Sequence, residues 1–384
     1  MALDKIIYWL FLLFMPALVF SSTAAEAIHL LILLLWIINI ATTPGYRLER
    51  FPLYLPVALF LGIQLFSILF SVDPRMSLRG TSKLVPFTLF FIVPNNIRSS
   101  LHIRKMVDWL LISLVLATFY GLGKYVMGLE DRISSTSGGY STMASLLYIG
   151  AILSVSSGMK EGGNRKRMLY YGAALLLLVG IVFTFHRIHG VLTPVALFAL
   201  VMIKKPRFLI PFVCLLILMA FLAPQNVKDR FQTLISREGN WTSDRTILWK
   251  TAGELFPQSP WIGFGLKTFK KVFPDSAREL CGDKGIGSWH NEYIQILMES
   301  GLPGLVSYLF FIGVLFWHGY SFFKLKTGDV MGYGILLSFL VYLMIGLTGT
   351  NYQDPIHSRL MFTFLASFFI IKGECTVNEG KRDR

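Results

Sequence analysis

Charge is scarce in this chain, and acid is scarcer. Only 15% of its 384 residues are charged, whereas soluble domains carry about a quarter, so a soluble globular fold is a poor fit. Against 36 Lys and Arg there are just 22 Asp and Glu. The three cysteines, Cys214, Cys281 and Cys375, make no disulfide framework, and their spacing suits no zinc site. Several signatures are missing altogether: a P-loop, a dinucleotide fingerprint, His-Glu-x-x-His, Gly-x-Ser-x-Gly, and an Asp-x-Asp pair to hold a divalent ion on a sugar nucleotide. Nucleotide-dependent, metallohydrolase and serine-hydrolase chemistry therefore find no support, and the expectation is a protein with no cofactor and no metal.

What the chain has instead is lipid-compatible length. It is 54% hydrophobic and 14% aromatic. Apolar runs near 6–22, 28–43, 53–72, 82–97, 106–127, 140–158, 168–186, 189–203, 207–223, 301–323, 331–349 and 358–372 are close to the roughly 20 residues a membrane span needs. The first run reads as a retained span rather than a cleaved signal, because its small-residue stretch matches a cleavage site only loosely and another apolar run follows. These runs predict an all-α polytopic membrane protein of about 12 transmembrane helices. Three regions follow: 1–223 with about nine helices, an outer helical segment at 224–300, and 301–384 with about three helices and a polar tail.

Orientation follows from Lys and Arg in short loops, which favour the cytoplasmic side. With the N-terminus inside, the inner loops collect Arg47, Arg50, Arg98, Arg104, Lys105, Lys160, Arg165, Lys166, Arg167, Lys204, Lys205, Arg207, Lys324 and Lys326. The short outer loops hold Arg75, Arg79, Arg132, Arg187 and Arg359. Both termini are thus expected in the cytoplasm, with the long segment outside. The net charge of +14 reflects this bias and calls for no nucleic acid.

The outer segment concentrates the polar chemistry. Thr242-Ser243-Asp244 offers N-cap side chains for a helix running through Arg245 and Trp249, which Pro257 and Pro260 end. Ser288 is expected to cap a second helix beginning Trp289-His290-Asn291, with Gly301 as its stop. In the first turn His290 would meet the positive end of the helix dipole, which disfavours imidazolium and leaves a ring able to act as a general base. The alternative is an interfacial histidine that only bonds a neighbour. Arg187 sits between two apolar runs in Phe185-His186-Arg187-Ile188-His189-Gly190, with no carboxylate near it in sequence. Such an arginine is costly without a partner, and an anionic ligand would supply one through paired guanidinium hydrogen bonds; snorkelling to headgroups is the alternative. A base and two arginines on one face suggest a phosphate leaving group and a hydroxyl acceptor. Without a nucleotide signature, the implied donor is a lipid-linked phosphate or pyrophosphate.

Three stretches resemble one family. They are His290-Asn291-Glu292-Tyr293 with Glu299-x-Gly301-x-x-Gly304, Arg245-x-x-x-Trp249 followed by Pro260-Trp261-Ile262-Gly263-Phe264-Gly265, and Ser71-Val72-Asp73-Pro74-Arg75-x-Ser77-Leu78. Together they resemble the O-antigen ligase and polymerase family. The resemblance implies a GT-C-like integral-membrane glycosyltransferase of the bacterial inner membrane, with its active site on the periplasmic face. Its donor would be a glycan on undecaprenyl pyrophosphate and, for a ligase, its acceptor a sugar hydroxyl of lipid A–core. By the same resemblance His290 matches the essential histidine, and Arg187 and Arg245 match arginines near the donor pyrophosphate. One departure is that His186 and Ile188 flank Arg187 where the family has a small residue and Gly. Asn291, Trp249, Arg75 and His357 are further candidates for substrate contact.

Two other readings compete. A polymerase would share the donor chemistry but often has two large outer loops, where only one is evident here. A transporter would place ionisable groups and broken helices near the bilayer midplane, and here they cluster at span ends.

Overall fold

A computed structural model of the chain describes residues 2–222, 241–281, 286–325 and 328–382. Among these residues the regular elements are all helices. The expected segment 224–300 is therefore seen from Trp241 onward; its first part, and the side chains of Thr242 and Ser243 read as cap formers, lie outside the described residues.

Eight described helices are long and apolar enough to cross a membrane, among them Ser22–Thr42, Tyr140–Lys160, Arg187–Lys204 and Glu292–Phe323. Tyr54–Leu69, Pro206–Leu218 and Val330–Gly346 are apolar but shorter. The chain is an all-α polytopic membrane protein. The run at 82–97 differs from its expectation. It is two short 3-10 turns, Thr81–Lys83 and Val85–Thr88, leading into the helix Leu89–Asn96. Pro86 lies within the second turn and Pro94 within the helix, and each removes a backbone donor that a continuous α-helix would use. At the other end, the helix expected over 358–372 runs from Pro355 to Arg382, so the polar tail is helical as far as it is described.

Hydrogen bonds and ion pairs sort the helix ends into two groups. At one end Asn39 and Arg98 both bind Asp4, Glu374 caps Ser100, and Lys160 pairs with Asp329. At the opposite end Thr142 binds Asp354, Lys83 binds Gln353 and Arg245 binds the Thr348 carbonyl. Helix after helix alternates between these two ends, which is the order an alternating traverse requires.

Tyr140–Lys160 is the central helix, with 89% of its apolar window buried. Its small residues explain the placement, because they let neighbouring helices approach closely. A Cβ at Gly150 would sit 3.0 Å from Leu177 Cδ1. One large apolar cluster joins residues from Ile7 to Cys375, so the helices of 1–223 and 301–384 share a core. A second, small cluster of Leu248, Ala252, Phe264, Phe269, Phe273, Ala277, Cys281, Trp289 and Met298 belongs to the outer segment.

The junction between the two holds the family-like stretches together. The Glu292–Phe323 helix breaks at Gly301, with φ 67° and ψ −168°. Phe264 N donates to Met298 O (2.8 Å), Gly265 N to Glu299 O (3.0 Å), and Leu302 N to Pro260 O (2.8 Å). Ser71 and Ser77 complete it, their hydroxyls donating to the carbonyls of Phe264 and Leu266. Three segments far apart in sequence thus form one backbone seam, beside which the His290 loop is held.

Candidate active site

A cavity of about 1410 Å³ opens beside the His290 loop. Its wall is built from the starts of Ser22–Thr42, Tyr140–Lys160, Arg187–Lys204 and Pro355–Arg382, with the loops around 290 and 350. Arg187, Arg245 and His290 all line it. They come from three regions of the chain that sequence alone does not connect.

The chain turns sharply to present Arg187. The preceding helix ends at Phe183, Phe185 takes a left-handed φ of 54°, and Arg187 opens the next helix. Arg187 is partly buried, and its guanidinium has no hydrogen-bond or ion-pair partner among the described residues. Arg245 lies in the helix Trp241–Leu255 and donates from Nη2 to the Thr348 carbonyl at 2.9 Å. Burial lowers its pKa from the usual arginine value, so an anion beside it would meet a poorly hydrated cation.

His290 departs from its expected place. The helix begins at Glu292, and its cap is Asn291, whose Oδ1 accepts from Tyr293 N (3.0 Å) and Ile294 N (3.1 Å). Ser288 instead accepts from the His290 backbone N–H at 3.4 Å. His290 therefore precedes the cap, at φ 48°, a conformation a non-glycine residue rarely holds without cause. Asn291 is the better-placed cap because its Nδ2 also reaches the Leu347 carbonyl at 3.1 Å. The imidazole is still kept neutral, for a different reason from the helix dipole. Burial lowers its pKa, Arg245 lowers it further, and Asp244 works the other way.

Of the other candidates, His357 lines the cavity and is buried, its Nε2 2.9 Å from Tyr148 Oη. Asn291, Trp249 and Arg75 do not line it. Asn291 is occupied as a cap, Trp249 Nε1 donates to the Trp289 carbonyl at 3.1 Å, and Arg75 is exposed on the helix Pro74–Gly80. Trp289 is buried against Phe269 and Phe273. Arg359, read as an outer-loop cation, is 1% exposed and donates from Nε to His29 Nδ1 at 3.2 Å.

Sequence reading missed two cavity cations. Lys83 donates to Gln353 Oε1 at 2.6 Å, and Gln353 in turn donates to the buried Glu299 carboxylate. Arg132 stands over the Tyr140 ring at 4.2 Å. Both lie at the end of the bundle opposite the one where most Lys and Arg gather, and that was the available signal. Among the described residues no group of three or more His, Cys, Asp or Glu is disposed to hold a metal ion. The cavity can therefore gather anionic oxygens on fixed guanidinium and ammonium groups, beside an imidazole free to take a proton.

Residues 172–309 match a family model described as O-antigen ligase. Over these residues the chain is similar to the O-antigen ligase family. The matched stretch contains Arg187, Arg245, His290 and the described residues from Trp241 to Ser300, and leaves out Ser71 and Ser77 of the seam, Arg75 and His357. The match supports a general role in O-antigen assembly, of the kind carried out by membrane ligases and polymerases related to glycosyltransferases. No curated protein matches the chain.

Proposed function

We propose that the protein is an O-antigen ligase, transferring a glycan from undecaprenyl pyrophosphate to a sugar hydroxyl of lipid A–core. The observation that carries this reading is the meeting of Arg187, Arg245 and His290 on one cavity wall. In the proposed step His290 takes the proton of the acceptor hydroxyl, whose oxygen attacks the anomeric carbon. The bond from that carbon to the diphosphate oxygen breaks, and configuration inverts. Arg187 and Arg245 stabilise the negative charge growing on the leaving diphosphate, which gives positioned electrostatic stabilisation without a metal. The Lys and Arg distribution supports a bacterial inner-membrane protein with both termini in the cytoplasm, the cavity facing the periplasm and membrane lipids around it. His357, at the cavity wall, would then orient the acceptor side; Asn291 would act by holding the loop of His290. Trp249 and Arg75, away from the cavity, would contact longer portions of the glycan.

The test is reconstitution. Purified protein is mixed with undecaprenyl-pyrophosphate glycan and lipid A–core, without metal or nucleotide. Glycan joined to the core is the expected result. Growth of the chain on the polyprenyl carrier would make the protein a polymerase, and no covalent product with any acceptor would overturn both readings.

A further inference from the structure

The proposed step leaves two histidines at the cavity unused. His186 lines the wall beside Arg187, and His189, one turn further on, is fully buried. Their Nδ1 atoms are 2.7 Å apart. One proton fits between them, so one ring donates and the other accepts. The far nitrogens are engaged as well: His189 Nε2 lies 3.2 Å from Ser145 Oγ, and His186 Nε2 lies 3.3 Å from Ser141 Oγ. Ser145, His189, His186 and Ser141 therefore form a chain from the bundle interior to the cavity.

Such a chain has two polarities. In one, Ser145 donates to His189 Nε2, His189 donates from Nδ1 to His186 Nδ1, and His186 carries its proton on Nε2. In the other every bond is reversed, and His186 Nε2 accepts. An anion decides between them, because phosphate oxygens accept and a donor at the wall is then favoured. Burial and the nearby Arg245 hold the His186 pKa down to about 4, so near pH 7 the donor is an uncharged ring, which leaves His290 without a rival for the acceptor's proton. A neutral imidazole can act in this way as an electrophile.

We propose that His186 is a further substrate-contacting residue, a neutral Nε2–H donor to an oxygen of the leaving diphosphate, and that buried His189 is a positioning residue that holds this tautomer through Ser145. The inference rests on reading the cavity as a diphosphate site. The proton stays on His186 throughout, and no bond to the residue forms or breaks.

The test uses the full chain in detergent, with histidine ring nitrogens labelled with nitrogen-15 and inorganic pyrophosphate as probe. Ring shifts distinguish protonated from bare nitrogens. With pyrophosphate saturating, His186 should be protonated at Nε2 only and His189 at Nδ1. Pyrophosphate affinity should fall roughly ten- to hundredfold in His186→Ala, the range expected for one hydrogen bond to a charged group. It should largely recover in His186→Gln, whose amide N–H takes the place of Nε2. His189→Phe keeps a ring in the same space but loses the donor, and should shift His186 towards the Nδ1-protonated form. If Arg187→Ala abolishes pyrophosphate binding while the His186 signals never respond to the ligand, this proposal fails and the diphosphate reading stands. If the unsubstituted protein does not bind pyrophosphate, both fail. An unchanged His186 tautomer in His189→Phe would remove the positioning role.

Discussion

Replacing Gly301 with alanine tests the seam beside the His290 loop. Gly301 sits at φ 67°, ψ −168°, a region essentially closed to other residues and costing about 1–3 kcal/mol to enter. The new Cβ would lie 2.5 Å from the Trp261 carbonyl carbon and 2.7 Å from its oxygen. Those are backbone atoms and cannot swing aside as a side-chain tip would. Relief requires opening the seam, which puts at risk the bonds Phe264 N to Met298 O, Gly265 N to Glu299 O, and Leu302 N to Pro260 O. Each is worth about 0.5–1.5 kcal/mol net. Losing all three and keeping the strained backbone costs about 3–7 kcal/mol together. Gly263→Ala meets the same seam from the other side, its Cβ 2.5 Å from Glu299 C and Ser300 N. The double variant should therefore cost much less than the sum of the singles, since one opening relieves both. Gly253→Ala is the control. Nothing lies within 4 Å of its Cβ position, in the helix Trp241–Leu255, and it should gain about 0.5–1 kcal/mol. Reversible chemical unfolding in detergent micelles, followed by tryptophan fluorescence, reads all four. A Gly301→Ala protein as stable as Gly253→Ala, or a strictly additive double variant, would refute the reasoning.

Other outcomes follow from the cavity. Transfer should require neutral His290, so the rate should climb as pH rises through its lowered pKa and level off near neutrality. Asp244→Asn removes an influence that raises this pKa and should move the climb to lower pH, whereas Arg245→Gln removes one that lowers it and should move the residual activity's climb to higher pH; pH–rate profiles shifting in the same direction would contradict the arrangement. His290→Ala should cost roughly 10²–10⁴ in single-turnover rate, and Arg187→Ala about 10²–10³, and near-normal turnover in either would remove that residue's role. Glu299→Leu should destabilise the protein by about 3 kcal/mol or more in the same unfolding assay, because its carboxylate accepts from Lys267 N, Gln295, Tyr352 and Gln353 and their buried donors would be stranded.

Much of the membrane plan was legible because an apolar run near span length is a strong local signal. It misled at 82–97, where hydropathy is blind to Pro86 in the 3-10 turn that precedes the short helix Leu89–Asn96. The sequence pattern also pointed to Ser288 as a cap where the structure uses Asn291, since serine and asparagine both cap well. The choice depends on the Leu347 carbonyl, 56 residues away in sequence. Arg359 read as an outer-face cation because its partner, His29, is 330 residues distant. The identities of Arg187, Arg245 and His290 stood out through residue type and motif, but their shared cavity wall is a product of helix packing. Lys83 was hidden in the same way, since its link through Gln353 to Glu299 crosses three separate segments.

The most direct measurement is a structure determined with an undecaprenyl-diphosphate glycan bound. The diphosphate should lie between the Arg187 and Arg245 guanidiniums, with the anomeric carbon open to an acceptor hydroxyl held at His290. A diphosphate seated elsewhere, or one reaching neither arginine, would contradict this arrangement.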